Sequence, residues 1–279
     1  GYMSGNSYLC MLEDKSGVLW LGTFSDGVLK INLKNKPFCW VTSTKDKESS
    51  LIDNDISVIM EDSKKNIWVG TQQGISIWSR NKNTFKHLRP DPKNHNSISS
   101  NHILAIFEDS KKNIWIGTSE GMDFCDQKRN TFKHLYTDFS SENQLPENEI
   151  FSIKEDKLGQ IWIATSYGLS RYDLSENKFN NYFYSAKDTN SIPSSTIWEV
   201  FIDSKNQIWL GTPNGLAKYI PSKDNFERHS IGKIDKSSKA QQEVLAIAEG
   251  EDGILWLGTT LHLSLIHISE PTRPRLFSY

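Results

Sequence analysis

The chain is poor in the features that mark most chemistries. Its three cysteines, Cys10, Cys39 and Cys125, are odd in number and scattered through 279 residues. They form neither a disulfide framework nor a zinc spacing, and read as small buried residues. A formal net charge of −2 gives no electrostatic case for nucleic acid. No apolar run approaches the ~18 residues of a membrane helix, so no membrane segment is expected in this chain. No secretory leader is visible; strand material begins at "NSYLCMLED". Phosphate loop, nucleophile elbow and HExxH are all missing. The seven histidines do not cluster. His87 and His134 share the phrase "TFKHL" and are expected on the surface. No catalytic residue, metal site or cofactor is expected. No window of ten or more residues carries a helical apolar period.

What the chain has instead is repetition. Trp20, Trp68, Trp115, Trp162, Trp209 and Trp256 are spaced by 48 residues and then by 47 four times. Each stands in one phrase: VLWLGT, NIWVGT, NIWIGT, QIWIAT, QIWLGT, ILWLGT. Around it, short β-rich runs alternate with polar turns, as in ISVIMED, DSKKN, IWVGT, QQG, ISIWS, RNKN and TFKHL. Runs of about five residues bounded by Gly, Asn, Asp and Ser signal antiparallel strands. Four such strands per repeat of about 47 residues predict a β-propeller blade. Blades should start near residues 7, 55, 102, 149, 196 and 243.

Residues that recur in every repeat are expected to hold the fold. The tryptophans should join each sheet to the next. Asp14, Asp62, Asp109, Asp156 and Asp203, six residues before their tryptophans, should accept backbone N–H groups across the first hairpin turn. Gly17, Gly159, Asn66 and Asn113 fall in or beside those turns, where positive φ is often needed. Gly27, Gly74, Gly121, Gly168 and Gly215 should close the second turn for the same reason. Trp198 is read as core. The polar residues Asn6, Asn54, Asn101, Asn148, Ser195 and Gln242 read as caps before the innermost strand.

The register breaks after Thr259: a glycine is due near 262, where His262 stands. "LSLIHISEPTRPRLFSY" matches no strand of the repeat and resembles a translated sequencing adapter. Residues 1–262 are therefore expected to form a propeller fragment, five full blades and half of a sixth. Residues 263–279 are expected to be a non-native tail. A seven-bladed parent would need a longer gene.

"EDSKKNIWVGTQQGISIW" and its relatives resemble the two-component regulator propeller repeat: an acidic pair, a Gly/Asn turn, W-I-G-T, then G-L. Departures are Ala164 for Gly, Ile202 for Glu and Gly250 for Asp. The resemblance implies tandem seven-bladed propellers forming the periplasmic sensor of a hybrid two-component regulator. It also implies oligosaccharide as ligand and self-association through a second propeller or a dimer of the parent. A protein-docking scaffold of the WD-repeat type is an alternative, and a propeller lyase of the streptogramin-inactivating kind is another. A sialidase is disfavoured, because its Asp-box places Trp five residues after Asp, not six.

Positions that differ between repeats are free to specialise. One set reads Ser7, Asp55, His102, Glu149, Thr196, Glu243; another reads Asp26, Gln73, Glu120, Tyr167, Asn214. Both should fall on one face. Asp55, His102, Glu149, Glu120 and Tyr167 are the candidate ligand residues, offering carboxylates and an aromatic ring to sugar hydroxyls. Arg89 and His95, in the variable connection "RPDPKNH", are expected on the same face and would suit an acidic sugar.

Overall fold

A computed structural model describes residues 8–32, 38–44, 49–80, 82, 84–126, 131–229, 243–250, 253–259 and 263–266. Among them there is no helix; the structure is six antiparallel sheets. The first holds β1 (Tyr8–Glu13), β2 (Val18–Thr23), β3 (Val28–Asn32) and β4 (Phe38–Val41). The second holds β5 (Ile56–Glu61), β6 (Asn66–Thr71), β7 (Gly74–Ser79) and β8 (Thr84–Leu88). The third holds β9 (Ile103–Glu108), β10 (Ile114–Thr118), β11 (Gly121–Asp126) and β12 (Thr131–Leu135). The fourth holds β13 (Ile150–Glu155), β14 (Ile161–Thr165), β15 (Gly168–Asp173) and β16 (Lys178–Tyr182). The fifth holds β17 (Glu199–Ile202), β18 (Ile208–Thr212), β19 (Gly215–Ile220) and β20 (Asn225–His229). The sixth holds β21 (Val244–Glu249), β22 (Leu255–Thr259) and β23 (Leu263–Ile266). Every sheet is a simple meander in chain order. Two compact units divide the chain, residues 1–181 and 182–279.

The tryptophans sit on the second strand of each sheet, as their periodicity predicts. Within the first unit, Trp20 packs with Ile56, Ile59 and Ile67 of the following sheet. Trp68 packs with Ile103, Ile106 and Ile114, and Trp115 with Ile150, Ile153, Ile161 and Tyr172. In the second unit Trp209 packs with Val244, Ile247 and Leu255. Burying an indole removes roughly 150–250 Å² from water, so each one is the main apolar tie between neighbouring sheets. The glycine of the W-I-G-T phrase serves the same packing. A Cβ on Gly117 would stand 2.7 Å from Cγ2 of Ile150, and one on Gly70 2.7 Å from Cγ2 of Ile103. The inner strand of the next sheet lies too close for any side chain there.

The turn aspartates do more than the sequence suggests. Oδ1 of Asp109 accepts the Asn113 N–H at 2.8 Å, while Oδ2 accepts the Trp115 indole N–H at 3.0 Å. Asp14, Asp62, Asp156 and Asp203 hold Trp20, Trp68, Trp162 and Trp209 in the same way, at 2.6, 2.9, 2.9 and 2.9 Å. One carboxylate thus closes the hairpin and satisfies the buried indole, which is why the spacing is six. Gly250 has no carboxylate to offer, and its tryptophan, Trp256, is 42% exposed. Trp115 and Trp162, by contrast, are fully buried.

A second clamp joins sheets. Glu108 accepts the Ser63 N–H and hydroxyl, both at 2.8 Å. Glu155 takes Ser110 at 2.6 and 2.8 Å, and Glu249 takes Ser204 at 2.7 and 2.8 Å. This is the physical reason for the acidic pair E-D in the repeat: the glutamate reaches back to the preceding sheet, and the aspartate holds its own.

Three further expectations need correction. Positive φ in the second and third sheets falls on Lys65 and Lys112, not on Asn66 and Asn113. The asparagine side chains instead donate to the turn aspartates. His87 and His134 are half-buried rather than on the surface. Each bonds to the neighbouring third strand, His87 Nδ1 to Ser76 Oγ at 3.2 Å and His134 Nδ1 to Asp123 Oδ1 at 2.7 Å. Finally, residues 263–266 do take a strand position. They pair with β22, Leu255 opposite Ile266. The free edge of β22 offers main-chain groups that a foreign extended segment can satisfy as well as a native one. The remainder of the tail lies outside the described residues.

Candidate functional site

The second turn of the second to fifth sheets is built identically whatever its variable residue. Thr118 Oγ1 donates to the Gly121 carbonyl at 2.9 Å and accepts the Glu120 N–H at 3.0 Å. Thr165 repeats this with Gly168 and Tyr167 at 2.9 and 3.1 Å, and Thr71 with Gly74 and Gln73 at 2.8 and 3.0 Å. The glycine has positive φ in each, 131° at Gly121 and 120° at Gly168, a conformation that penalises a Cβ. Threonine and glycine fix the backbone, so the residue between them is free to vary. Gln73, Glu120, Tyr167 and Asn214 are all exposed, Tyr167 by 56%.

The innermost strand starts at the same end. The Ser119 N–H donates to the His102 carbonyl and the Ser166 N–H to the Glu149 carbonyl, both at 3.2 Å. His102 is thereby brought beside the Glu120 turn, and Glu149 beside the Tyr167 turn. Inner strands β5, β9 and β13 lie side by side, which carries Asp55, His102 and Glu149 along one row. Burial and the charge of Asp53 push the Asp55 carboxyl up, against the pull of the His102 imidazole. All three side chains are half-buried. The two variable sets therefore share one end of the third and fourth sheets.

Arg89 and His95 do not join that row. Arg89 follows β8, the outermost strand, and its Cγ borders Gly74. It shares the end of the sheet with Asp55, but lies roughly three strand spacings, about 14 Å, outward. There it lines a cavity of about 470 Å³ with His87, Asn94, Asn96 and Phe132. His95 is exposed, and its carbonyl faces Nε2 of His134 at 3.2 Å, against the outer strand of the third sheet. The connection runs along the outer edge of the sheet, so Arg89 stands at the expected end but outside the central row. Asn96 Oδ1 accepts the Phe132 N–H at 2.7 Å, as Asn143 Oδ1 accepts that of Phe179 at 2.8 Å. Ile98 and Leu145, from the shared endings of the connections, are buried and lead the chain inward again. The cavity was not foreseen; the 47-residue spacing of Asn96 and Asn143 was the available signal.

Asn54 and Asn148 act as caps; Asn101 and Ser195, at the equivalent positions, make no such bond among the described residues. Asn148 Oδ1 accepts the Thr137 N–H at 2.7 Å while its Nδ2 donates to the Thr137 carbonyl at 3.1 Å, and Asn54 Oδ1 accepts the Ser43 N–H at 2.6 Å. Each pulls the two ends of a connection together.

Meandering antiparallel sheets repeated in one register, and within each unit tied to the next by a buried tryptophan, define a β-propeller. Residues 2–25, 50–73, 97–120 and 144–167 each match the profile of the two-component regulator propeller. These four repeats are two-component regulator propeller repeats. The fold is similar to the extracellular domain of a hybrid two-component system of B. thetaiotaomicron, at 21% identity and a TM-score of 0.77. That alignment covers 97% of this chain and 36% of the other. It is also similar to virginiamycin B lyase of Staphylococcus aureus, at 14% identity and a TM-score of 0.67, over 93% of this chain and 80% of the lyase. A histidine kinase, P4, of Formosa agariphila is 34% identical over 65 residues, 23% of this chain and 5% of the kinase. The chain thus spans little of the length of these signalling relatives.

Proposed function

We propose that this propeller is the ligand-recognising part of an extracytoplasmic two-component sensor, and that the ligand is an oligosaccharide. The observation that carries the reading is the division within each blade. Threonine and glycine hold the second turn of four sheets in one shape, while the exposed residue on it changes from sheet to sheet. Such a surface is fixed in geometry and variable in chemistry. Asp55, His102, Glu149, Glu120 and Tyr167 supply carboxylates, an imidazole and a flat ring, which suit hydroxyl-rich ligands. The extracellular placement of the hybrid two-component neighbour supports a periplasmic location. A lyase shares the fold, but the hybrid two-component neighbour and the matching repeats support a sensor over an enzyme. A test is calorimetry of the chain against oligosaccharides from plant and host polysaccharides. Binding should occur and should weaken at least tenfold in Glu149→Ala and Tyr167→Ala. Sugar binding untouched by both substitutions would move the site elsewhere. Capture of a protein partner with no sugar bound would replace the sensor by a docking scaffold.

A further inference from the structure

The connection between the third and fourth sheets, residues 136–149, carries two exposed aromatic rings, as does the following connection with Phe183 and Tyr184, but exposes them further and holds one of them at positive φ. Tyr136 is 60% exposed and Phe139 is 75% exposed. Apolar rings left in water at this level, two on one loop, call for an explanation. Disorder is not the explanation, because the loop is tied at every turn. Thr137 is held at both its N–H and its carbonyl by Asn148. The Asp138 N–H donates to Gln144 Oε1 at 3.3 Å, the Ser140 N–H to Asp138 Oδ1 at 2.9 Å, and the Phe179 N–H to Asn143 Oδ1 at 2.8 Å.

Phe139 also has a φ of 59°. A bulky residue in the left-handed region is a strained conformation, costly enough to need a reason. Glycine or asparagine would relieve it. Equivalent positions in the other connections hold Lys45, Pro92 and Ala186, so the ring is no part of the repeat. Tyr136 stands where Thr42, Arg89 and Phe183 stand. Its Cβ is 3.2 Å from where a Cβ on Gly121 would lie, beside the turn that displays Glu120. The loop therefore sets an aromatic ring at the outer edge of the turn that displays Glu120, as Arg89 stands at the outer edge of the Gln73 turn.

We propose that Tyr136 and Phe139 form a rigid aromatic platform that extends the binding row outward on the third and fourth sheets, and that its ligand is a neutral oligosaccharide. This rests on the sensor reading above and names the ligand class of that site. Rings preset by a tied loop stack on sugar rings with little ordering cost. Glu120, whose turn Tyr136 adjoins, and Asp138 on the loop itself are carboxylates that accept hydroxyl hydrogens and repel a uronate, while the His102 imidazole lies inward at the start of the innermost strand. Arg89, the cation suited to a uronate, belongs to the connection one sheet away and lines its own cavity.

The test is calorimetry of the chain with cellohexaose, xylohexaose and mannohexaose, against an oligogalacturonate of equal length. At least one neutral hexamer should bind and the oligogalacturonate should not. Tyr136→Ala and Phe139→Ala should each lower affinity at least tenfold. Phe139→Gly should raise the melting temperature, by relieving the left-handed backbone, while still losing binding; that separates lost contact from lost fold. Neutral binding unchanged in both alanine variants would overturn the platform and leave the sensor reading standing. Preference for the oligogalacturonate, abolished by Arg89→Ala, would overturn the ligand class. Silence with every sugar would overturn the sensor reading and this inference with it.

Discussion

Asp109 and Glu120 are carboxylates of one sheet, eleven residues apart, with opposite fates. Asp109 is buried and accepts the Asn113 backbone N–H, its side-chain amide and the Trp115 indole. Glu120 is exposed, and only its backbone N–H is fixed, by Thr118. The first hairpin end of each blade repeats its side chains because they are spent on one another. The second end repeats only threonine and glycine, and releases the residue between them. Recurrence in this chain measures internal engagement, and its loss marks where an outside partner could be met.

The comparison can be broken most easily at the tryptophans. Trp115→Ala should cost about 3–5 kcal/mol, the range for deleting a buried aromatic. Trp256→Ala, at an indole that is 42% exposed and lacks an aspartate partner, should cost less than half as much. Guanidinium denaturation of both variants measures this, and equal losses would show that the buried clamp adds nothing. The inter-sheet clamp comes next. Glu108→Ala and Ser63→Ala should couple by about 1 kcal/mol in a double-mutant cycle, reduced from the value for a fully buried charged hydrogen bond by partial solvent screening. Additive losses would mean that the two do not act together.

The smallest effect concerns His134. Burial pulls its imidazole down, but the hydrogen bond to Asp123, the Asp123 charge and the His95 carbonyl together raise it above the usual 6.5. Both ring nitrogens face acceptors, which favours the imidazolium. A raised folded value means that the contribution is fully present below 6.5 and fades as pH rises through the folded value. Proton NMR should find His134 titrating above 6.5 and dropping in Asp123→Asn. A titration at or below 6.5 would place it outside this latch.

Fold and strand order were legible because six copies of one phrase average out the ambiguity of any single strand. The indole–carboxylate bond was not, because a spacing of six says nothing of which oxygen meets which donor. The burial of His87 and His134 was missed for a related reason: their partners Ser76 and Asp123 lie one strand away, at positions that vary in type. The variable row was legible as a face. Its division into an inner row and an outer edge was not, since the path of the connection past His95 depends on side-chain bonds such as Asn96 to Phe132. Phe139 was missed because backbone strain leaves no mark in composition.

The most direct test of the central claim compares Asp109→Ala with Glu120→Ala in urea denaturation, each removing one carboxylate from the same sheet. Loss of Asp109 strands a buried indole N–H and a turn amide, and should cost about 2–3 kcal/mol. Loss of Glu120 should change stability by no more than about 0.5 kcal/mol. Comparable losses in the two variants would contradict the division between an end that holds and an end that displays.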